Sequence, residues 1–302
     1  MPWKHWSSES LGIALAILAA FGFSFKAIFV KLAYAVPQAV PVDAITLLSL
    51  RMLFALPFFV VIGLHASRSA APLSRGDWLT LSALGLLGYY GASILDFIGL
   101  GYISAGLERL ILFTYPTLTV LIGVVFMGKT LRAREVGALL LSYAGIGLVF
   151  FHDLEFAGET RAVLLGAAFV FASSLSYALY LAGSGEMIQR LGSARFTALA
   201  MLVSVLATEL HFFASQPLSA LRQPLAIYGY GAAMAILSTV LPVFLQSAAI
   251  LRIGAGRSVM IGTLGPMLTI AFAWLLLDEP LSLVQLAGAA LVLAGVWLIS
   301  RH

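Results

Sequence analysis

A chain of 302 residues that is 61% hydrophobic and 10% charged lies far from soluble globular proteins, which run at about 45–50% apolar and about 25% charged, so an ordinary water-soluble domain is excluded. The formal net charge of +4 does not point to nucleic acid, because multi-span proteins accumulate Lys and Arg in cytoplasmic loops. Cysteine is absent, which removes disulfides, thiolate metal sites and cysteine nucleophiles together.

Apolar runs of about 20 residues, each long enough to cross a hydrocarbon core of about 30 Å as a helix, recur along the chain. They predict an all-α membrane protein with ten spans, at 11–32, 44–64, 78–101, 107–127, 135–151, 162–183, 196–214, 225–251, 257–277 and 281–300. The separators carry turn-forming or polar residues: Pro37 and Pro41, Pro72 and Ser74, residues 152–161, 183–192 and 216–224, and Asp278 to Pro280. Lys4 and His5 ahead of an apolar run resemble a signal peptide, but no cleavage site follows and the run reads as the first span.

On span 1, Gly12, Leu15, Ala19, Gly22 and Lys26 share one stripe, so Lys26 sits on a small-residue face suited to close helix packing. It either points inward or snorkels to the outer boundary. Arg51 is a second ionisable residue inside a span. On span 3, Tyr89, Ala92 and Asp96 form one face, with Tyr90 adjacent. Asp96 can bind an amino group, pair with Lys26 or Arg51, or exchange a proton.

Span 4 opens with Glu108 and Arg109, which read as interfacial, and places Tyr115, Pro116 and Thr119 near its middle. A proline there removes an amide donor and displaces the carbonyl four residues earlier, here Leu112, so the helix should bend at midplane. Thr119 can donate to the freed carbonyl or to a solute. Gly123, Gly128, Lys129 and Thr130 in GVVFMGKT match the phosphate-loop letters, but 124–127 finish a membrane helix rather than a strand-to-helix turn, so nucleotide binding is rejected.

Tyr177 and Tyr180 lie in span 6 and, with the earlier tyrosines, offer an aromatic lining for an organic solute. Glu209 and His211 near the end of span 7 either relay protons or sit in interfacial solvent. Span 8 carries Thr239, Pro242 and Gln246, and span 9 carries Pro266, which would displace the Gly262 carbonyl, and Thr269. The five histidines are scattered and no metal-ligand or nucleophile spacing appears, which argues against an enzyme and implies no cofactor.

The stretch from Ile103 to Leu148 is echoed at a constant shift of 150 positions: Ile103, Ala105, Gly106, Pro116, Thr119 and Gly145 find Ile253, Ala255, Gly256, Pro266, Thr269 and Gly295. Thr239, Pro242 and Gln246 answer Tyr89, Ala92 and Asp96 in the same way. Two copies of five spans each, at 1–152 and 153–302, must lie upside down relative to one another within one membrane domain. The distribution of Lys and Arg places both termini in the cytoplasm.

The segments GYISAGLERLILFTYPTLTVLIGVVFMGKT and AGRSVMIGTLGPMLTIAFAWLLLDEP, within ten short spans, resemble the drug/metabolite transporter superfamily, specifically its bacterial EamA-type exporters. The resemblance implies a five-plus-five inverted repeat in the bacterial inner membrane. It also implies a cavity bounded by spans 1 to 4 and 6 to 9, and peripheral spans 5 and 10. The family's glutamate at the end of spans 4 and 9 is matched by Glu279, whereas its repeat mate is Lys129. The expected function is secondary export of small amphipathic metabolites, amino acids including aromatic ones foremost, by alternating access in the lipid bilayer. The alternatives are a multidrug or nucleoside/cofactor transporter of the same fold, or a passive facilitator. Substrate contacts are expected from Lys26, Tyr89, Tyr90, Asp96, Tyr115, Thr119, Tyr177, Tyr180, Thr239, Gln246 and Thr269, hinges from Pro116 and Pro266, and proton coupling from Asp96 or Glu209.

Overall fold

The computed structural model describes residues 8–39, 41–127, 133–156, 160–262 and 264–300, and every regular element among them is helical. In chain order these are α1 (Ser8–Tyr34), α2 (Ala44–Ser67), α3 (Arg75–Gly85), a π-helical segment (Leu86–Gly91), α4 (Ala92–Leu100), α5 (Ala105–Leu112), α6 (Tyr115–Met127) and α7 (Ala133–Phe156). There follow α8 (Thr160–Leu191), α9 (Ser193–Ser215), a short 3-10 turn (Leu218–Leu221), α10 (Leu225–Ala235), a second π-helical segment (Ile236–Val240), α11 (Leu241–Gly262), α12 (Leu264–Leu277) and α13 (Leu283–Ser300).

Among the described residues, seven stretches are long and apolar enough to cross a membrane: Ser8–Tyr34, Ala44–Ser67, Arg75–Leu100, Ala105–Phe126, Thr160–Leu191, Ser193–Ser215 and Leu225–Ile250. Shorter apolar helices cover Val136–His152, Leu264–Leu277 and Leu283–Leu298. Large apolar side chains such as Val61, Leu79, Phe126 and Leu225 face outward from this bundle, which in water would be untenable and in hydrocarbon costs nothing. The protein is an all-α, multi-spanning membrane protein.

Helix starts follow local chemistry. Asp43 caps α2 by accepting from the Ile45 and Thr46 amides, and Ser74 with Asp77 forms a reciprocal capping box at the start of α3. Two expected separators are helical instead. Residues 183–191 continue α8, and the chain turns only at Gly192, whose φ of 77° lies in the left-handed region that glycine enters without penalty. Residues 252–256 lie inside the unbroken α11, because that segment packs on α1: a Cβ at Gly12 would lie 2.6 Å from Ile253 Cγ2. The expected polar break from 152 is also late, since α7 runs to Phe156.

Pro116 is not a mid-helix kink. The fourth span breaks outright at Phe113 and Thr114, and Pro116 is the second residue of the new helix α6, while Pro266 is the third residue of α12, residue 263 ahead of it lying outside the described residues. In a first helical turn the missing amide has no partner to lose, so the ring is accommodated without strain. Carbonyls beside both prolines are met by serines from a neighbouring helix. Ser174 Oγ of α8 donates to the Leu112 carbonyl at 3.1 Å, and Ser24 Oγ of α1 donates to the Gly265 carbonyl at 3.1 Å. Ser176 Oγ donates to Leu87 O at 2.8 Å and Ser173 Oγ to Ala92 O at 2.6 Å, which serves the first π segment and its exit.

Packing is reciprocal between the two halves of the chain. Helix α1 lies on the second π segment, α11 and α12, whereas α8 lies on the first π segment, α4, α5 and α6. Likewise α2 pairs with α9, α10 faces α2 as α3 faces α9, and α7 pairs with α13. The small stripe on α1 does the expected work: at Gly22 a Cβ would stand 2.5 Å from Pro242 Cγ, so only glycine lets the helices approach. The α7–α13 seam uses the same device, with a Cβ at Gly145 falling 2.5 Å from Gly288 O.

Candidate functional site

Lys26 points inward rather than snorkelling. Its ammonium lies 2.6 Å from Asp96 Oδ2 in the middle of α4 and 3.5 Å from Glu108 Oε1 on the first turn of α5. Asp96 and Glu108 are 1% and 0% exposed, and their carboxyl groups lie within hydrogen-bonding reach of each other. Glu108 and its neighbour Arg109, read from the sequence as interfacial, are therefore buried. The reason is tertiary: the short connection at residues 101–104 folds α5 back beneath α1 and α12, covering its first turn.

Two guanidinium groups border this cluster. Arg51 of α2 donates from Nε to Thr239 Oγ1 at 3.1 Å, lies 5.5 Å over the Phe97 ring and is close enough to Asp96 to feel its charge. Arg109 lies 5.3 Å over the Phe113 ring and reaches the start of α12, where a Cβ at Gly265 would meet its Nη2 at 3.1 Å. A charge held in hydrocarbon-like surroundings is costly unless paired, which makes this concentration of ionisable groups the candidate site.

An aromatic row runs on from Arg109. Phe113 and Tyr115 rings are 5.7 Å apart, Tyr115 and Tyr177 5.1 Å, and Tyr177 stacks on Tyr180 at 5.5 Å. Tyr180 closes the row with a 2.9 Å hydroxyl contact to Tyr89. Gly88 makes room for this, since a Cβ there would fall 2.3 Å from the Tyr180 ring. Four of the expected tyrosines are thus brought together.

Other expected residues are placed elsewhere. Tyr90 bonds His211 Nδ1 at 2.8 Å, on the α9 side of the π segment. Glu209 accepts from Ser49 Oγ at 2.7 Å across the α2–α9 contact, apart from the Lys26 cluster. Thr119 bonds back to Tyr115 O at 2.7 Å in its own helix, so the freed Leu112 carbonyl is met by Ser174 and not by Thr119. Thr269 is fully buried and contacts Ser24 O at 3.3 Å, while Gln246 is half-buried on α11. Gly128, Lys129 and Thr130 of the rejected phosphate-loop match lie outside the described residues, and 123–127 are the end of helix α6.

Glu279 fastens the end of α12 onto α5. Its carboxylate accepts from the Ala105 amide at 2.9 and 3.1 Å and from Gly106 at 3.4 Å, a charge-assisted contact to a helix N-terminus. Asp278, at φ 54°, supplies the left-handed turn that aims it there.

The profile of the EamA-like transporter family matches this chain twice, at residues 10–151 and 164–301. The uncharacterized transporter YcbK of Bacillus subtilis is 32% identical over 287 residues, covering 92% of this chain and 88% of that protein. An uncharacterized transporter of Synechocystis is 26% identical over 96% of this chain and 93% of its own length, and one of Archaeoglobus fulgidus is 24% identical over 96% and 98%. A solved crystal structure superposes with a TM-score of 0.63 at 18% identity over 96% of each chain, which establishes a shared fold. The chain belongs to the EamA-like transporter family, and is a multi-spanning helical membrane transporter of small molecules rather than an enzyme.

Proposed function

We propose that the protein is a secondary exporter of small zwitterionic metabolites, amino acids with aromatic side chains foremost, working by alternating access in a bacterial cytoplasmic membrane. The observation that carries this is the junction of the Lys26–Asp96–Glu108 cluster with the row Tyr115, Tyr177, Tyr180 and Tyr89. Opposite charges a few ångströms apart suit a solute bearing both an ammonium and a carboxylate, and stacked rings suit an apolar or aromatic body.

In this reading ten spans form two inverted halves with both termini cytoplasmic. The reciprocal packing of α1 and α8, and the crossing bonds Ser24 to Gly265 and Ser174 to Leu112, support it. Pro116 and Pro266 mark the hinges, and the break at Phe113 and Thr114 supports this for the first, because backbone already released from the helical ladder moves at the least cost. Asp96 is the proton carrier, exchanging its hold on Lys26 for a proton, with Glu108, Arg51 and Arg109 setting the local field. Glu209, bonded to Ser49 away from the cluster, has the smaller part.

The test is counterflow in proteoliposomes against a panel of amino acids at several pH values. Accumulation of aromatic amino acids that falls with rising pH, and whose pH dependence disappears in Asp96→Asn, is expected. A wild-type protein that exchanges none of the panel, while exchanging apolar cations or nucleosides, overturns the substrate assignment.

A further inference from the structure

Lys26 is the cation that sequence inspection picks out as a substrate contact, but its charge is already spent on the protein. Both carboxylates of the cluster lie within ion-pair distance of its ammonium, at 2.6 and 3.5 Å. Arg109 is in the opposite state. It is 7% exposed, its Nε has no hydrogen-bond partner, and no carboxylate lies within ion-pair distance among the described residues. What holds it is the face of Phe113, which supports a guanidinium without neutralising it.

The charge balance agrees. Lys26, Arg51 and Arg109 face Asp96 and Glu108, so with every group ionised the buried cluster keeps one positive charge more than it can cancel. Arg51 and Arg109 each keep an unpartnered nitrogen and each has one carboxyl nearby without an ion pair, but Arg51 is tied by its Nε to Thr239, whereas Arg109 has its Nε free at the head of the tyrosine row. A buried, uncancelled guanidinium is stable only if an anion from outside completes it. Its planar fork matches a carboxylate in two parallel hydrogen bonds, and its place at the head of the tyrosine row sets where the rest of that molecule lies.

We propose that Arg109 is the carboxylate-binding residue of this transporter, and that the α-carboxylate of the solute completes the ionic cluster while its side chain lies along Tyr115 and Tyr177. The inference rests on reading the cluster as the solute site, and it also fixes a class: the cargo carries a carboxylate. Gly265 is part of the device, because a side chain there would push the guanidinium off its place.

Three probes that share a phenyl ring separate the contributions: phenylalanine, 2-phenylethylamine, which lacks the carboxylate, and 3-phenylpropionate, which lacks the ammonium. Counterflow in proteoliposomes by the full chain is expected to favour phenylalanine over the amine at least tenfold. Arg109→Gln should abolish that preference, leaving both at the rate of the amine. Arg109→Lys keeps the charge without the fork and should raise KM several-fold with kcat little changed, as should Gly265→Ala. Melting temperatures of the purified variants identify any that fail to fold, and the two milder variants then carry the test. If Arg109→Gln retains the preference, or wild type favours the amine, the inference is overturned whatever the cargo is. If wild type carries 3-phenylpropionate but not phenylalanine, and Arg109→Gln stops it, Arg109 keeps its role and the amino-acid assignment falls instead. A wild-type protein that carries none of the three overturns both.

Discussion

Lys26 shows how a single charge can hold a membrane site together. Its removal in Lys26→Met leaves the buried carboxyl groups of Asp96 and Glu108 facing each other with no cation within ion-pair distance, a loss of the kind that costs about 3–5 kcal/mol. A marked fall in melting temperature in detergent is the expected result, and Lys26→Met combined with Asp96→Asn should recover part of it, because an amide can share a hydrogen bond with Glu108 where a second carboxylate repels it. An additive double variant would show that the three groups are not coupled. Lys26 and Asp96 were legible in the sequence because an ionisable residue deep in an apolar span is costly and has few explanations, snorkelling and ion pairing among them. Glu108 and Arg109 were not, because they stand at the first residues of a span, where charge is ordinary. Their repeat mates, Ser258 and Val259, are uncharged, so internal symmetry gave no signal either.

At the scale of elements, interruptions of the helices do more than the helices themselves. The π segments at Leu86–Gly91 and Ile236–Val240 begin 150 positions apart, as the repeat requires, yet nothing in their composition announces them. Their partner, the run Ser173, Ser174 and Ser176 on α8, was not singled out in the sequence either, although its hydroxyls meet carbonyls in and around the irregular backbone. Ser176→Ala removes one of the two hydrogen bonds to Leu87 O, which keeps its bond from the Ala92 amide, and should cost about 0.5–1.5 kcal/mol, measured by thermal unfolding. The Glu279 contact to α5 is the other such element, and it is one-sided. Glu279 grips the amides of Ala105 and Gly106, whereas Lys129 stands at the mate of Glu279 and a cation cannot accept from an amide. The equivalents of the gripped residues, 255 and 256, lie inside the unbroken α11, where their amides are already used. Among the described residues, this carboxylate contact is thus found at one end of the molecule. Glu279→Gln, which removes the charge and one acceptor, should speed labelling of a cysteine placed at the buried Ile103 several-fold, and an unchanged rate would show that the contact does not hold that end shut.

For the molecule as a whole, the fold is doubled while the chemistry is not. Lys26, Arg51, Asp96, Glu108 and Arg109 all belong to the first half, and the residues 150 positions on are Ser176, Met201, Gln246, Ser258 and Val259. In the proposed mechanism, symmetric scaffolding lets two packings of similar energy exist, and one-sided charge decides what the passage between them carries. The consequence can be measured directly, because the natural chain has no cysteine to confuse a label. Ile103, beside the Glu279 latch, and Ser184, in the last third of α8, are both buried, at 4% and 3% exposure. Single cysteines at these two positions, probed with a membrane-impermeant maleimide from either face, should react from opposite sides. A saturating cargo should raise one rate while lowering the other by a comparable factor, since one interior cannot be open at both ends. Arg109→Gln should abolish that reciprocal response to a carboxylate-bearing cargo while leaving the cargo-free rates unchanged. Rates that rise together on adding cargo would describe a channel, and rates indifferent to cargo would leave the two halves as a rigid scaffold with no exchange between packings.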